Sequence, residues 1–204
     1  MKRRMCDAQC ASRREYGFSL TELVVTLAVA LILMAIGLPA FLRAYNSYLL
    51  TNSASQMADI LRLSRYEAIR LNRQVNCQIQ VYSGDATRTI VWAGNGPQGT
   101  GDKMILLGSS GNLVDGGTVP QTAMLLSQAV SGVTPNTPSP TSGVITFDAR
   151  GAVTSASGNV FYVNVFYLSS TTAPDAGYRA VLLMPAGSIQ IWTADPSGSW
   201  QQVR

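Results

Sequence analysis

From Leu23 to Leu42 the chain runs for 20 residues without a charged side chain. As a helix such a run is about 30 Å long, the thickness of the hydrocarbon core of a bilayer. No other feature narrows the fold as much, because a segment this apolar must be covered by lipid or by other apolar helices. Glu22 stands at its mouth. Ahead of it, residues 1–17 hold Lys2, Arg3, Arg4, Arg13 and Arg14 against Asp7 and Glu15, a net charge of +3, while the rest of the chain carries a net +1. After the run comes Arg43, then no charge until Asp59. The basic flank puts the N-terminus in the cytoplasm and the remainder outside. A secretory signal peptide is the competing reading. Its apolar region would be shorter and would end in a small-residue cleavage site, whereas this run passes directly into a helical pattern.

The uneven charge also decides what the basic pI of about 9.1 means. It describes the first 17 residues, so it does not argue for nucleic-acid binding by the rest. Only 13% of residues are charged, and Ser, Thr, Gly and Asn are plentiful, which suits an extracytoplasmic β-rich domain better than a cytosolic enzyme. The chain has no histidine, so the commonest general base and the commonest metal ligand are both missing. Cys6 and Cys10 lie in the basic leader without the second ligand pair of a zinc site. Cys77 has no internal disulfide partner once the leader is gone. It reads as a buried small hydrophobe, with a free exposed thiol as the alternative. Past the leader there is one lysine, Lys103, and seven aspartates scattered among loops and turns. Asp85, Asp102 and Asp115 sit in Gly-rich stretches where Asp usually forms turns, and no tight array of oxygens suggests calcium. A membrane-anchored hydrolase is therefore disfavoured, and no metal or cofactor is expected.

Within "GFSLTEL" (Gly17–Leu23), the glycine, the aromatic residue, the Thr-Glu pair and the apolar run follow a basic leader in fixed order. This resembles the class III signal of type IV pilins and type II secretion pseudopilins. The resemblance implies that a membrane-embedded prepilin peptidase cuts between Gly17 and Phe18 on the cytoplasmic side. Phe18 would then become the N-methylated first residue, and Glu22 would be the family's assembly glutamate. Physical reasoning agrees. A carboxylate at the start of a membrane helix is costly unless paired, and the ammonium freed at Phe18, in the same chain or a neighbour, is a partner. Negative charge is also favoured at a helix N-terminus. The alternative is an uncleaved anchor with Glu22 reaching to the interface. Pro39 stands inside the run, two residues after Gly37, where it removes one ladder bond and permits a bend. Similar pilin helices have a proline at the same place. The alternative is that the membrane helix ends at Gly37-Leu38.

Beyond Arg43 the helical pattern persists. Leu50, Ala54, Met57, Leu61, Ala68 and Leu71 fall on one face at three- and four-residue steps, with Ser64 filling the gap. This predicts an amphipathic half of one long helix, packed on a sheet. Arg62, Arg65, Arg70 and Arg73 share another arc, partly offset by Asp59 and Glu67. A solvated helix face is the favoured reading over a phosphate-binding stripe. After Asn72 the period changes to two. "VNCQIQVY" (75–82), "TIVW" (89–92), "KMILL" (103–107), "GVITF" (143–147), "NVFYVNVFY" (159–167), "YRAVLLM" (178–184) and "GSIQIWT" (187–193) read as strands, the last two as a hairpin around Pro185-Ala186. Residues 108–142 are rich in Gly, Ser, Thr and Pro and read as a surface excursion, with 123–130 either a strand or a helical turn.

The strand pattern sharpens the resemblance. "ITFDARGAV" (145–153) is similar to the strand, Phe-x-x-x-Gly turn and strand of the FimT/GspH group of minor pilins and pseudopilins. "YRAVLLMPAGSIQIW" (178–192) is similar to the terminal hairpin of that group. Locally, Asp148, Arg150 and Gly151 need no more than a tight turn. Some FimT-like minor pilins that bind DNA carry Gly-Arg-x-Arg in the terminal hairpin. Here Gly187, Ser188, Ile189 and Gln190 occupy that place, so both arginines are missing and DNA binding is not implied.

The expected architecture is α+β: a cleaved leader (1–17), a transmembrane and filament-core helix (18–42), its amphipathic half (43–74) and a small antiparallel β-rich head (75–204). The implied role is a structural subunit of a type IV pilus or type II secretion pseudopilus, single-pass in the bacterial inner membrane with a periplasmic head. Its partners would be other pilins, met through the helix, and the prepilin peptidase. A DNA-binding minor pilin for DNA uptake is the alternative, which a basic groove would support and a near-neutral mature chain does not.

Overall fold

In the computed structural model, which describes residues 19–96, 99, 102–130, 133–154 and 162–203, the apolar run begins one unbroken helix, α1 (Leu20–Leu71). The elements that follow are β1 (Val75–Tyr82), β2 (Asp85–Ala93), β3 (Met104–Leu107), β4 (Asn112–Val114), α2 (Thr122–Ala129), β5 (Thr134–Asn136), β6 (Ser142–Phe147), β7 (Val153–Thr154), β8 (Tyr162–Ser169), β9 (Tyr178–Leu183), β10 (Ile189–Ala194) and β11 (Trp200–Gln202). The chain divides into two units, residues 1–40 and 41–204.

In the first unit every described residue is exposed, including Leu20, Leu27, Leu33 and Ile36. The helix is apolar on all sides and buries none of its most apolar stretch within the chain. It runs through Gly37 and Pro39 without ending, so the alternative of a helix terminating at Gly37-Leu38 is removed.

In the second unit, the rest of α1 packs against two sheets. Its buried residues are Leu50, Ala54, Met57, Ala58, Ile60, Leu61, Ser64 and Ala68. The expected stripe is there, except that Leu71 is 40% exposed. The reason is local. At Asn72 the backbone turns left-handed (φ 49°), the Arg73 amide donates back to the Ala68 carbonyl, and the chain leaves the helix for β1. Leu71 is thus on the last turn, where the sheet no longer covers it.

The first sheet has the order β3-β2-β1-β6-β7 and is antiparallel throughout. Alternation in β1 sends Val75, Cys77 and Ile79 inward. The register sets them beside Phe147, Ile145 and Gly143 of β6, so one face becomes an apolar layer under α1. The second sheet has the order β11-β10-β9-β8-β4. Phe166 and Leu168 of β8, with Val181 and Leu183 of β9, join the same core.

The stretch 108–142 does more than its composition promises. It supplies β4, which pairs with β8, and β5, which also pairs with β8 and is, among the described residues, the one parallel pairing in an otherwise antiparallel head. Of residues 123–130, all but the last are helical and form most of α2, with Val130 its extended C-cap. Val119 and Leu125 close a second core over the back of the second sheet, against Val163, Val165, Tyr167, Leu182, Trp192 and Trp200. Both faces of β8 are therefore buried, which explains why it reads as a nearly continuous apolar run. Its buried amide, Asn164, accepts a 2.7 Å hydrogen bond from Asn136 Nδ2 of β5. The start of the expected strand at 159–161 lies outside the described residues.

Candidate functional site

Of the residues singled out for processing and assembly, Gly17, Phe18 and the leader lie outside the described residues. Glu22 is in the first turn of α1 and is exposed. Nearby hydroxyls serve the backbone and one another: Ser19 and Thr21 are 2.8 Å apart, and Thr26 Oγ1 donates to the Leu23 carbonyl at 2.9 Å. Among the described residues no ion pair involves Glu22. Pro39 stands 17 residues further along the same helix, about 25 Å at the helical rise, so the two do not form one site. Beyond these hydroxyls the neighbours of Glu22 are exposed apolar side chains, Leu20, Leu23, Val24 and Val25, and none of them is covered by the described residues.

The head is fixed to its stretch of α1 by two arginines. The first, Arg179 of β9, is 4% exposed. Its Nε donates to Thr51 Oγ1 at 3.0 Å and its Nη2 to Ser47 Oγ at 2.7 Å, while Nη1 serves the Tyr178 carbonyl at 2.9 Å. Longer bonds, both 3.4 Å, reach the Ala176 and Ser47 carbonyls. All five donors are occupied by neutral oxygens. Burial without a carboxylate pulls its pKa below the usual arginine value. Sequence reading passed over this role, although the signal is there: by period two, Arg179 shares the inward face of β9 with Val181 and Leu183.

The second is Arg65, where the expectation of a wholly solvated arginine face needs correction. Arg65 is half-buried, and its Nε donates to the Gly151 carbonyl at 3.1 Å. It rests where two turns meet. In one, Asp148 Oδ1 accepts from the amides of Arg150 and Ala152 at 2.9 and 2.8 Å, and Gly151 has φ 78°. In the other, the Gly187 amide donates to the Met184 carbonyl at 2.8 Å with φ 77° at Gly187. The Val153 amide joins the turns by donating to the Pro185 carbonyl at 2.9 Å. A methyl group on Gly187 would overlap the Gly151 carbonyl oxygen, so the close approach requires glycine as much as the positive φ does.

The other arginines of that arc fit the solvated reading. Arg62 pairs with Asp59 and Arg70 with Glu67, each at 2.7 Å and three residues apart on exposed helix. Glu67, by hydrogen bond and charge, raises the Arg70 pKa. Gln190, at one of the places where an arginine is missing, accepts from Trp192 Nε1 at 3.1 Å. Cys77 is fully buried beside Ser64, and burial pushes its thiol up to about 12. Among the described residues no group of three or more His, Cys, Asp or Glu could hold a metal ion.

Comparison with known families gives two matches. A model described as "Prokaryotic N-terminal methylation motif" covers residues 12–38, ending just before Pro39. A model described as "Type II transport protein GspH" covers residues 53–187, from the middle of α1 to the glycine of the last turn described above. Two crystal structures of the type IV minor pilin FimU from Pseudomonas aeruginosa are similar. One shares 16% identity over 76% of this chain and 98% of that one, with a TM-score of 0.42. The other shares 15% identity over 76% and 92%, with a TM-score of 0.43. No curated protein sequence gives a significant match.

Proposed function

The chain belongs to the GspH family of type II transport proteins, and on that premise we propose that it is a minor pilin or pseudopilin, a structural subunit of a type IV pilus or type II secretion pseudopilus. A prepilin peptidase cuts it between Gly17 and Phe18, and the mature chain begins at N-methylated Phe18. Before assembly the helix crosses the inner membrane with the head in the periplasm. One observation supports this above others. The apolar half of α1 is exposed on every side, with a single carboxylate at its mouth, and lies in the segment that matches the methylation motif.

The physics follows from that surface. Covering fourteen large apolar side chains between Leu20 and Leu42 is worth on the order of tens of kcal/mol, first with lipid and then with neighbouring helices. Packing among apolar helices supplies little register by itself. Glu22 supplies it, because the ammonium of an incoming subunit's Phe18 is attracted to a neighbour's carboxylate in a low-dielectric setting, and either charge alone is costly. Pro39 frees one backbone carbonyl in the helix and gives it a place to bend or locally open as subunits pack. Ser188 and Gln190 stand where DNA-binding relatives carry arginines, and the chain after residue 17 has a net charge of only +1, so duplex DNA binds the head weakly at physiological salt.

Expressing Glu22→Ala beside wild type tests the assembly role. The variant inserts in membranes but falls in sheared filaments, while Glu22→Asp falls less. Equal filament-to-membrane ratios for Glu22→Ala and wild type would reduce Glu22 to an interfacial charge.

A further inference from the structure

An open cleft of about 450 Å³ lies within the head unit, between the Arg43–Ser47 turn of α1, the 3-10 turn Pro174–Ala176 and the connection from β10 to β11. Its lining is mostly polar and carries both signs of charge. Arg43 comes from α1 and Arg179 from β9, while Asp175 and Asp195 come from the two connections. Arg43, Asp175 and Asp195 are exposed. Among the described residues no ion pair joins these four groups, although they surround one space. The Arg179 charge is buried with only neutral acceptors around it, so it is felt across the cleft without being spent on a carboxylate.

The place of the cleft along the chain gives it a meaning. Arg43 to Ser47 follow Leu42, the last residue of the apolar run, by one to five positions. At the helical rise that is about 1.5–7.5 Å past the hydrocarbon edge, and the headgroup layer adds about 5–7 Å on each side of a bilayer. We propose that this cleft takes the headgroup of a zwitterionic phospholipid with a primary ammonium, its phosphate toward Arg43 and Arg179 and its ammonium toward Asp175 and Asp195. This rests on the membrane reading above. A simple anion would be repelled by the two aspartates, and a simple cation by the two arginines. A headgroup with both charges about one short linker apart complements all four, Arg179 through its charge alone because its five N–H donors are already taken. A quaternary ammonium offers no N–H to the carboxylates and is the poorer ligand. The polar lining suits the headgroup alone, the acyl chains staying in the bilayer.

The test uses the full chain in nanodiscs holding equal amounts of phosphatidylethanolamine and phosphatidylglycerol, with retained lipid identified by native mass spectrometry. Wild type retains phosphatidylethanolamine about tenfold over phosphatidylglycerol, the scale of one charge-assisted contact pair. Asp175→Asn with Asp195→Asn abolishes the preference. The second change keeps a side-chain carbonyl where Asp195 Oδ1 accepts from Ser197 and Ser199, so the turn survives. Arg43→Gln weakens retention, and Glu67→Gln, outside the cleft, changes nothing. No preference in wild type, or an undiminished preference in the double aspartate variant, overturns the proposal. Saturation by water-soluble glycerophosphoethanolamine in discs of phosphatidylglycerol alone would assign the cleft to a free phosphodiester and overturn the lipid source. Alkaline extraction of the chain separates the two readings: a chain that stays in the pellet yet shows no preference sinks only the headgroup site, and one that is washed out sinks the membrane reading as well.

Discussion

The two halves of α1 are made from similar residues and do opposite things. From Leu20 to Leu42 Leu, Val, Ile and Ala occupy every arc and none is buried; from Leu50 to Ala68 the apolar residues keep to one stripe and eight residues are buried. A stripe has a partner in its own chain, here the inner faces of two sheets. A helix apolar all round has none and must find lipid or other helices. In the proposed function the halves therefore divide the labour of the protein: the second folds the head, and the first would carry it into an assembly. Changes in each half should register in different measurements.

The sharpest way to break that division is a charge in each half. Leu61 is 0% exposed, and Leu61→Asp should cost about 4–5 kcal/mol or prevent folding, because an unpaired carboxylate is forced into the core. Leu33 is 65% exposed, and Leu33→Asp should leave the head's unfolding unchanged while impairing membrane insertion. Trp92, Trp192 and Trp200 are all buried in the head, so tryptophan fluorescence of the full chain during denaturation reads the head alone. Arg179→Met is the next largest. It leaves the Ser47 and Thr51 attachment and two carbonyls without their donor, and should cost about 2–3 kcal/mol in the same assay.

A smaller effect is pH-dependent. The Cys77 thiol has a pKa of about 12 in the folded head against 9.0 ordinarily, because burial opposes the thiolate. The folded state holds its proton where the unfolded chain loses it. Its contribution is complete below about pH 9 and is lost as pH rises toward 12, about 1 kcal/mol having gone by pH 10. Cys77→Ala should flatten the fall in stability between pH 8 and pH 10 by that amount. Smallest of all is Arg62→Gln. Its ion pair with Asp59 is exposed on both sides, and thermal denaturation should detect no change.

How legible these regions are in the sequence follows from how local their causes are. The stripe of α1, the alternation of β1 and the hairpin of β9 and β10 are written in neighbouring residues and can be read there. The stretch 108–142 is not, because β4 and β5 are three residues long and exist by pairing with β8, and α2 is held by Leu125 from a core that other segments build. Arg65 looks like its neighbours Arg62 and Arg70 on the helix, and only the meeting of two distant turns distinguishes it. Arg179 stands between these cases: its period-two place predicts burial, but its partners Ser47 and Thr51 are more than 120 residues away. The proposed assembly site is legible in the opposite sense. Gly17, Phe18 and Glu22 are recognisable as a motif, and the role proposed for them rests on partners that no single chain contains.

Whether the exposed half of α1 is a processed filament helix is read from the mass of the N-terminal peptide of the protein taken from membranes of a strain with active prepilin peptidase. The expected peptide begins at Phe18 and is heavier by one methyl group, with Gly17→Val leaving the leader in place. A wild-type chain recovered only at full length, still beginning at Met1, would contradict it.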